Sequence, residues 1–230
     1  MVDESRARGY QSGVAQDADA LEVVIPSGTV RLGGHLTVPE APPGIVVFAH
    51  GSGSSRLSPR NQAVAGALHQ AGLATLLFDL LTDDEAAARR NVFDVELLAD
   101  RLETATTWLE DSPAAGIPVG YFGASTGAAA ALWAAGAPAA AVGAVVSRGG
   151  RPDLAGERLV TVRAPTLLVV GGRDDVVLEL NRQAASVLRC EHRVEVVPGA
   201  THLFEEEGAL ETVARLAAEW FALHLGSAAP

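Results

Sequence analysis

The pentapeptide Gly123-Ala124-Ser125-Thr126-Gly127 places a serine between two glycines, where an apolar run (117–122) meets an alanine-rich stretch (128–135). In a strand–turn–helix setting, G-x-S-x-G holds the serine on a sharp, strained turn. A side chain two positions to either side would collide as the strand folds back into the helix. Ser125 then projects its hydroxyl from the top of a sheet with a helix N-terminus behind it, where developing negative charge is stabilised. Those are the requirements of an acyl-transfer nucleophile. The pattern alone is weak in a chain with 24 glycines, so its partners must be sought.

A serine hydroxyl needs an imidazole as general base, and the imidazole needs an acceptor that fixes its tautomer. In an open α/β sheet such groups gather beyond the carboxyl ends of the strands. The strand expected over 166–170 runs into Gly171-Gly172-Arg173-Asp174-Asp175, and that over 193–197 into Pro198-Gly199-Ala200-Thr201-His202-Leu203-Phe204. Asp174 is therefore the candidate acid and His202 the candidate base. Capping of the following helix is the competing role for Asp174, and Asp175 is equally placed to fill it. His192 precedes its strand, at the wrong end of the sheet, and His224 lies in the last helix.

Tetrahedral intermediates need two amide donors. Thr126, directly after the nucleophile, supplies one. The loop His50-Gly51-Ser52-Gly53-Ser54-Ser55-Arg56 supplies the other, with Ser52 as the donor and Gly53 as its rival. This loop lacks the Lys-Ser/Thr of a P-loop and the third glycine of a dinucleotide fingerprint. His50 reads as a packed loop anchor.

The elements that must position these residues follow from apolar periodicity. Strands are expected at 21–25, 29–38, 44–49, 73–78, 117–122, 142–147, 166–170 and 193–197. Helices are expected at 61–71, 92–110, 126–135, 178–188 and 210–225. Alternation of short apolar strands with helices predicts an α/β fold: a mostly parallel sheet of about eight strands, covered by helices on both faces. The first two strands form an antiparallel edge. Residues 1–20 read as a flexible arm and 21–230 as a single domain. The gap 149–164 has room for a short helix but not for a large lid, so the cap is minimal.

Arg56 follows the loop after the third strand, and Arg148 follows strand 142–147. If they converge they can hold a carboxylate or phosphate; pairing with some of the 28 acidic residues is the alternative. The 80–85 loop, Arg89, Arg90 and Asn91 are expected at the rim. Phe93, Phe122 and Leu203 are candidate apolar walls, with core packing as the alternative for each.

Composition narrows the partners. A net charge of −11 argues against a nucleic-acid backbone. The single cysteine, Cys190, excludes an internal disulfide and a multi-thiolate metal site. No charged-then-apolar leader opens the chain. The weakly polar stretch 116–147 is broken by Pro118 and Pro138 and reads as strand–helix–strand, not as a membrane span. A cytoplasmic protein without metal, membrane or nucleic-acid partner is expected.

Over about residues 21–225 the chain resembles the dienelactone hydrolase-like branch of the α/β-hydrolase superfamily. The likeness is strongest in His50-Gly51-Ser52-Gly53, Gly123-Ala124-Ser125-Thr126-Gly127, Gly171-Gly172-Arg173-Asp174 and Thr201-His202-Leu203-Phe204. The order Ser125, Asp174, His202 is the nucleophile–acid–base order of that fold. The resemblance implies an α/β-hydrolase fold, no cofactor, those three residues as catalytic triad, and Thr126 and Ser52 as amide donors. Dienelactone hydrolases proper use a cysteine nucleophile, whereas this chain has serine, and Cys190 lies on a segment leading away from the site. The expectation is hydrolysis of a small carboxylic ester or lactone through an acyl-enzyme. Thioesterase, peptidase or acyltransferase chemistry with the same triad, and a non-catalytic binding protein retaining the fold, are the alternatives.

Overall fold

The computed structural model describes residues 20–226; the arm expected over 1–20 lies, up to residue 19, outside the described residues. Strands β3 (Ile45–Ala49), β4 (Ala74–Phe78) and β7 (Thr166–Gly171) are buried at every position, as apolar runs covered on both faces should be. With β1 (Leu21–Ser27), β2 (Val30–Thr37), β5 (Val119–Ala124), β6 (Val142–Arg148) and β8 (His192–Val197) they form one eight-stranded sheet, ordered β1-β2-β4-β3-β5-β6-β7-β8. The β1–β2 and β2–β4 pairs are antiparallel, and the other pairs are parallel.

Helices α1 (Pro59–Gln70) and α7 (Ala209–Leu225) cover one face, where Val64, Leu68, Val213 and Phe221 pack with Val46, Phe48, Phe122 and Val146. The other face carries α4 (Val95–Trp108), α5 (Thr126–Ala135) and α6 (Asp175–Val187). Alanines 128–131 of α5 are fully buried, because small side chains let this helix sit between α4 and the sheet.

Strand order explains where a site can form. After β4 the chain passes over β3 to start β5, so the loops leaving β3 and β5 diverge around a crevice at the switch point. Ala49 pairs with Gly123, which sets the 50–57 loop beside the serine turn.

The helix expected over 92–110 is broken. Val92 ends a separate short helix, α3 (Arg89–Val92), and Asp94 caps α4 by accepting the Leu97 N–H at 3.1 Å. The 80–85 segment, expected as a loop, contains α2 (Asp83–Ala86), opened by a reciprocal Thr82–Glu85 capping box. Glu85 also pairs with Arg101 of α4 at 2.7 Å, which ties this rim to the body of the fold. A kinked 3₁₀ segment, Pro152–Thr161, fills the connection from β6 to β7.

Candidate active site

Ser125 has φ +52° and ψ −118°, a conformation that L-residues rarely adopt and one stored at functional turns. Both flanking glycines are sterically required. A Cβ at Gly123 would lie 2.4 Å from Ala128 Cα, and one at Gly127 would lie 2.1 Å from the Ala49 carbonyl oxygen. The Ser125 N–H donates to the Arg148 carbonyl at 3.2 Å, and the Ser125 carbonyl accepts from the Ala128 and Arg151 N–H groups, each at 3.1 Å. The turn is thus riveted to the end of β6. Thr126 opens α5, so its N–H points out of the first turn without an intrahelical acceptor.

His202 Nδ1 donates to Asp174 Oδ2 at 2.7 Å. That bond places the proton on Nδ1 of the neutral ring and leaves Nε2 as an acceptor. Asp174 occupies the cap position of α6 yet makes no side-chain cap bond; its carboxylate goes to the imidazole. Asp175 is an exposed first-turn residue. The His202 loop is held by the Thr201 N–H, shared between the Glu206 carboxylate oxygens at 3.1 and 3.0 Å. These bonds keep the Glu206 carboxyl below the usual carboxylate range. Phe204, at φ +56° and fully buried, anchors the same loop in the core. A Cβ at Gly149 would stand 3.2 Å from the His202 carbonyl oxygen and 3.5 Å from its Nδ1. Ser125 and His202 therefore both lie against the Arg148–Gly149 segment that ends β6.

The 50–57 loop is fastened at four points. His50 Nε2 accepts the Leu80 N–H at 3.0 Å, and Nδ1 donates to the Gly51 carbonyl at 3.0 Å. Both ring nitrogens are thereby used, and burial pushes this imidazole below its ordinary pKa. The Ser52 N–H donates to Thr126 Oγ1 at 3.0 Å. The Arg56 N–H donates to Asp79 Oδ1 at 2.8 Å, and its guanidinium forms an ion pair with the same carboxylate. A Cβ at Gly51 would lie 3.2 Å from Ser125 Cβ, so the loop runs directly against the serine.

From this loop a cleft of about 610 Å³ extends beneath α2 and α3, lined by Ser52, Arg56, Leu81, Val92, Phe93 and Thr126 among others. Phe93 is 46% exposed and forms part of the wall. Phe122 is a correction: it is 0% exposed and packs on Phe48 with ring centroids 4.9 Å apart, because its position in β5 points toward α1 and α7. Leu203 is exposed beside His202 but lies outside this cleft. Arg56 and Arg148 do not converge. The Arg56 guanidinium sits over Gly33 of β2 and pairs with Asp79 at the end of β4, whereas Arg148 ends β6, with β3 and β5 between. The Thr126 hydroxyl, Asp79, Glu206 and Arg60 escape the sequence reading. Asp79 alone leaves a legible trace, an acid just past the carboxyl end of a strand.

A family model described as an alpha/beta hydrolase domain matches residues 42–217. A dienelactone hydrolase from Anabaena variabilis is 52% identical, with a TM-score of 0.88 over 90% of this chain and 99% of that one. The chain belongs to the α/β-hydrolase family, in its dienelactone hydrolase-like branch. Est1E from Butyrivibrio proteoclasticus, 16% identical with a TM-score of 0.75 over 90% of this chain and 99% of that one, shares the fold. Two proteins of Mycobacterium tuberculosis strains, each named "Putative phosphoribosyl transferase", are 63% identical over 210 residues, 91% of this chain and 47% of theirs. The chain thus spans about half the length of those relatives. Among the described residues no helix is long and apolar enough to cross a membrane, and no group of His, Cys, Asp and Glu side chains is arranged to hold a metal ion.

Proposed function

We propose that this protein is a serine hydrolase that cleaves a small carboxylic ester or lactone through an acyl-enzyme. The carrying observation is the strained Ser125 turn and a His202–Asp174 pair at 2.7 Å, both lying against the Arg148–Gly149 segment. His202 Nε2 takes the Ser125 proton as Oγ attacks the acyl carbon. Asp174 holds the Nδ1–H tautomer and stabilises the imidazolium. The carbonyl π-electrons move onto oxygen, where the Thr126 N–H receives the oxyanion. The Ser52 N–H is the second donor, shared between Thr126 Oγ1, which holds it in place, and the new negative charge; the Gly53 N–H is its rival. The protonated His202 then gives its proton to the leaving alkoxide, and water repeats the sequence to release the acid. The substrate is a small-molecule ester or lactone. A cytoplasmic setting, without cofactor, nucleic acid or membrane as partner, belongs to the same proposal.

The transferase name attaches to proteins about twice as long. Phosphoribosyl transfer is a displacement at a sugar carbon, to which an acyl-accepting serine contributes nothing. Thioester cleavage or acyl transfer would use the same residues and would show as a different acceptor or leaving group. A fluorophosphonate probe and a panel of p-nitrophenyl esters, applied to wild type and Ser125→Ala, test the reading. Labelling and turnover should both vanish in the variant. Equal ester hydrolysis by the two purified proteins would sink the proposal.

A further inference from the structure

Arg148, the last residue of β6, is 9% exposed, yet its Nε and Nη1 have no hydrogen-bond partner among the described residues. By the two-residue alternation of the strand it shares the face of Ala144 and Val146, the face covered by α1 and α7. Arg60, in the first turn of α1, is its charged neighbour. Among the described residues the Arg60 Nε is also buried without a partner, and its Nη1 reaches the exposed Glu205 at 3.2 Å. Burial, then the Arg60 charge, pushes the Arg148 guanidinium down to about 10. The fold therefore holds two like charges together at the carboxyl edge of the sheet and leaves three of their nitrogens without acceptors. A buried cation is tolerated when an acceptor arrives to compensate it.

Its place decides what that acceptor belongs to. The Arg148 carbonyl receives the Ser125 N–H, Gly149 abuts His202, and Glu205 follows His202 by three residues in the same loop. The arginines thus stand on the β6 side of the serine turn, and neither lines the cleft under α2 and α3. We propose that Arg148 and Arg60 form an oxyanion-binding subsite that takes a carboxylate or phosphate carried by the ester substrate. A planar guanidinium offers paired N–H groups in the geometry such an oxyanion accepts, and Glu205, being exposed, yields its contact when the anion enters. Substrates then straddle Ser125, with an uncharged portion in the cleft and an anionic portion at the arginines. This assignment rests on the esterase reading for its substrate, but the anion site can be tested apart from it.

Inorganic phosphate and succinate are titrated into wild type, Arg148→Met and Arg60→Met by calorimetry. In parallel, kcat/KM is measured for p-nitrophenyl butyrate and for the mono-p-nitrophenyl ester of succinate. Wild type should bind at least one of the two anions, and each variant should weaken that binding by about tenfold or more. The ratio of kcat/KM for the anionic over the neutral ester should fall by a similar factor. Tighter binding of phosphate identifies a phosphorylated substrate, and tighter binding of succinate a carboxylated one. A wild type that binds neither anion overturns the proposal, as do affinities and ratios that are the same in all three proteins. Arginine-dependent anion binding in a protein that hydrolyses no ester would leave the subsite standing and remove the esterase reading.

Discussion

Replacing Gly127 with alanine tests whether backbone contact sets the catalytic geometry. The added methyl would stand 2.1 Å from the Ala49 carbonyl oxygen and 2.5 Å from that of His50. Carbon–oxygen contacts close at about 3.3 Å, so roughly 1 Å of overlap must be cleared. Neither neighbour is a flexible side chain that can rotate away. One segment is the end of β3, which leads into the loop bearing Ser52; the other is the first turn of α5, which bears Ser125 and Thr126. The displacement therefore falls between the proposed nucleophile and one of its proposed oxyanion donors. A shift of about 1 Å there costs on the order of 100-fold in turnover, and overpacking costs about 1–3 kcal/mol of stability. At roughly 2–4 °C per kcal/mol for a chain of this size, the melting temperature should fall by several degrees. Ester kcat/KM, the rate of fluorophosphonate labelling and a thermal melt measure these effects. Gly66→Ala in α1 is the control, because nothing lies within 4 Å of its added Cβ; it should stabilise by up to about 1 kcal/mol. A Gly127→Ala protein with wild-type kcat/KM and melting temperature would refute the reasoning.

Three further outcomes follow from particular contacts. Thr126→Val removes the acceptor of the Ser52 N–H and should lower kcat about fivefold to tenfold with little change in KM, the loss of roughly one hydrogen bond; Thr126→Ser should restore it, and failure of that rescue would count against a clamp. His50 titrates below its ordinary 6.5 because it is buried, so below that pH the unfolded chain binds a proton that the folded protein refuses. Stability should fall as pH drops below 6.5 toward the depressed folded value, and His50→Gln, which keeps an acceptor for the Leu80 N–H, should flatten the dependence. Parallel urea-unfolding profiles for the two proteins across that range would contradict this. Arg148→Met, assayed in buffer free of multivalent anions, should raise stability by about 1–3 kcal/mol by removing buried donors that lack partners; an unchanged melting temperature would show that the guanidinium is already satisfied.

Much of the fold is legible because its signals are short-range. Alternation at period two marks the β1–β2 edge, continuous apolar runs mark β3, β4 and β7, and the alanine-rich run after the serine turn marks α5 to the residue. Helix starts are harder to read where a cap competes with periodicity. Asp94 and Thr82 begin helices through side-chain bonds that an apolar repeat does not register. Strand-end positions likewise point to Asp174 and His202, because the carboxyl edge of a parallel sheet is set by chain direction alone. Their hydrogen bond, across 28 residues of sequence, is a product of β7 and β8 lying side by side.

The sequence by itself determines the order of elements, the glycine-flanked serine and the residues that stand at the carboxyl edge. These depend on each segment's own periodicity and turn chemistry. Only the tertiary structure decides which of those residues face one another. Phe93, in the turn between α3 and α4, lines the cleft, whereas Phe122 packs beneath α1 and α7 because a strand sends successive side chains to opposite faces. Arg56 finds Asp79 while Arg148 is left beside Arg60, because the strand order puts β3 and β5 between the two arginines. Ser52 meets the Thr126 hydroxyl across 74 residues because β3 and β5 pair directly while β4 lies on the far side of β3. Local pattern specifies elements; the order in which they pair specifies the site.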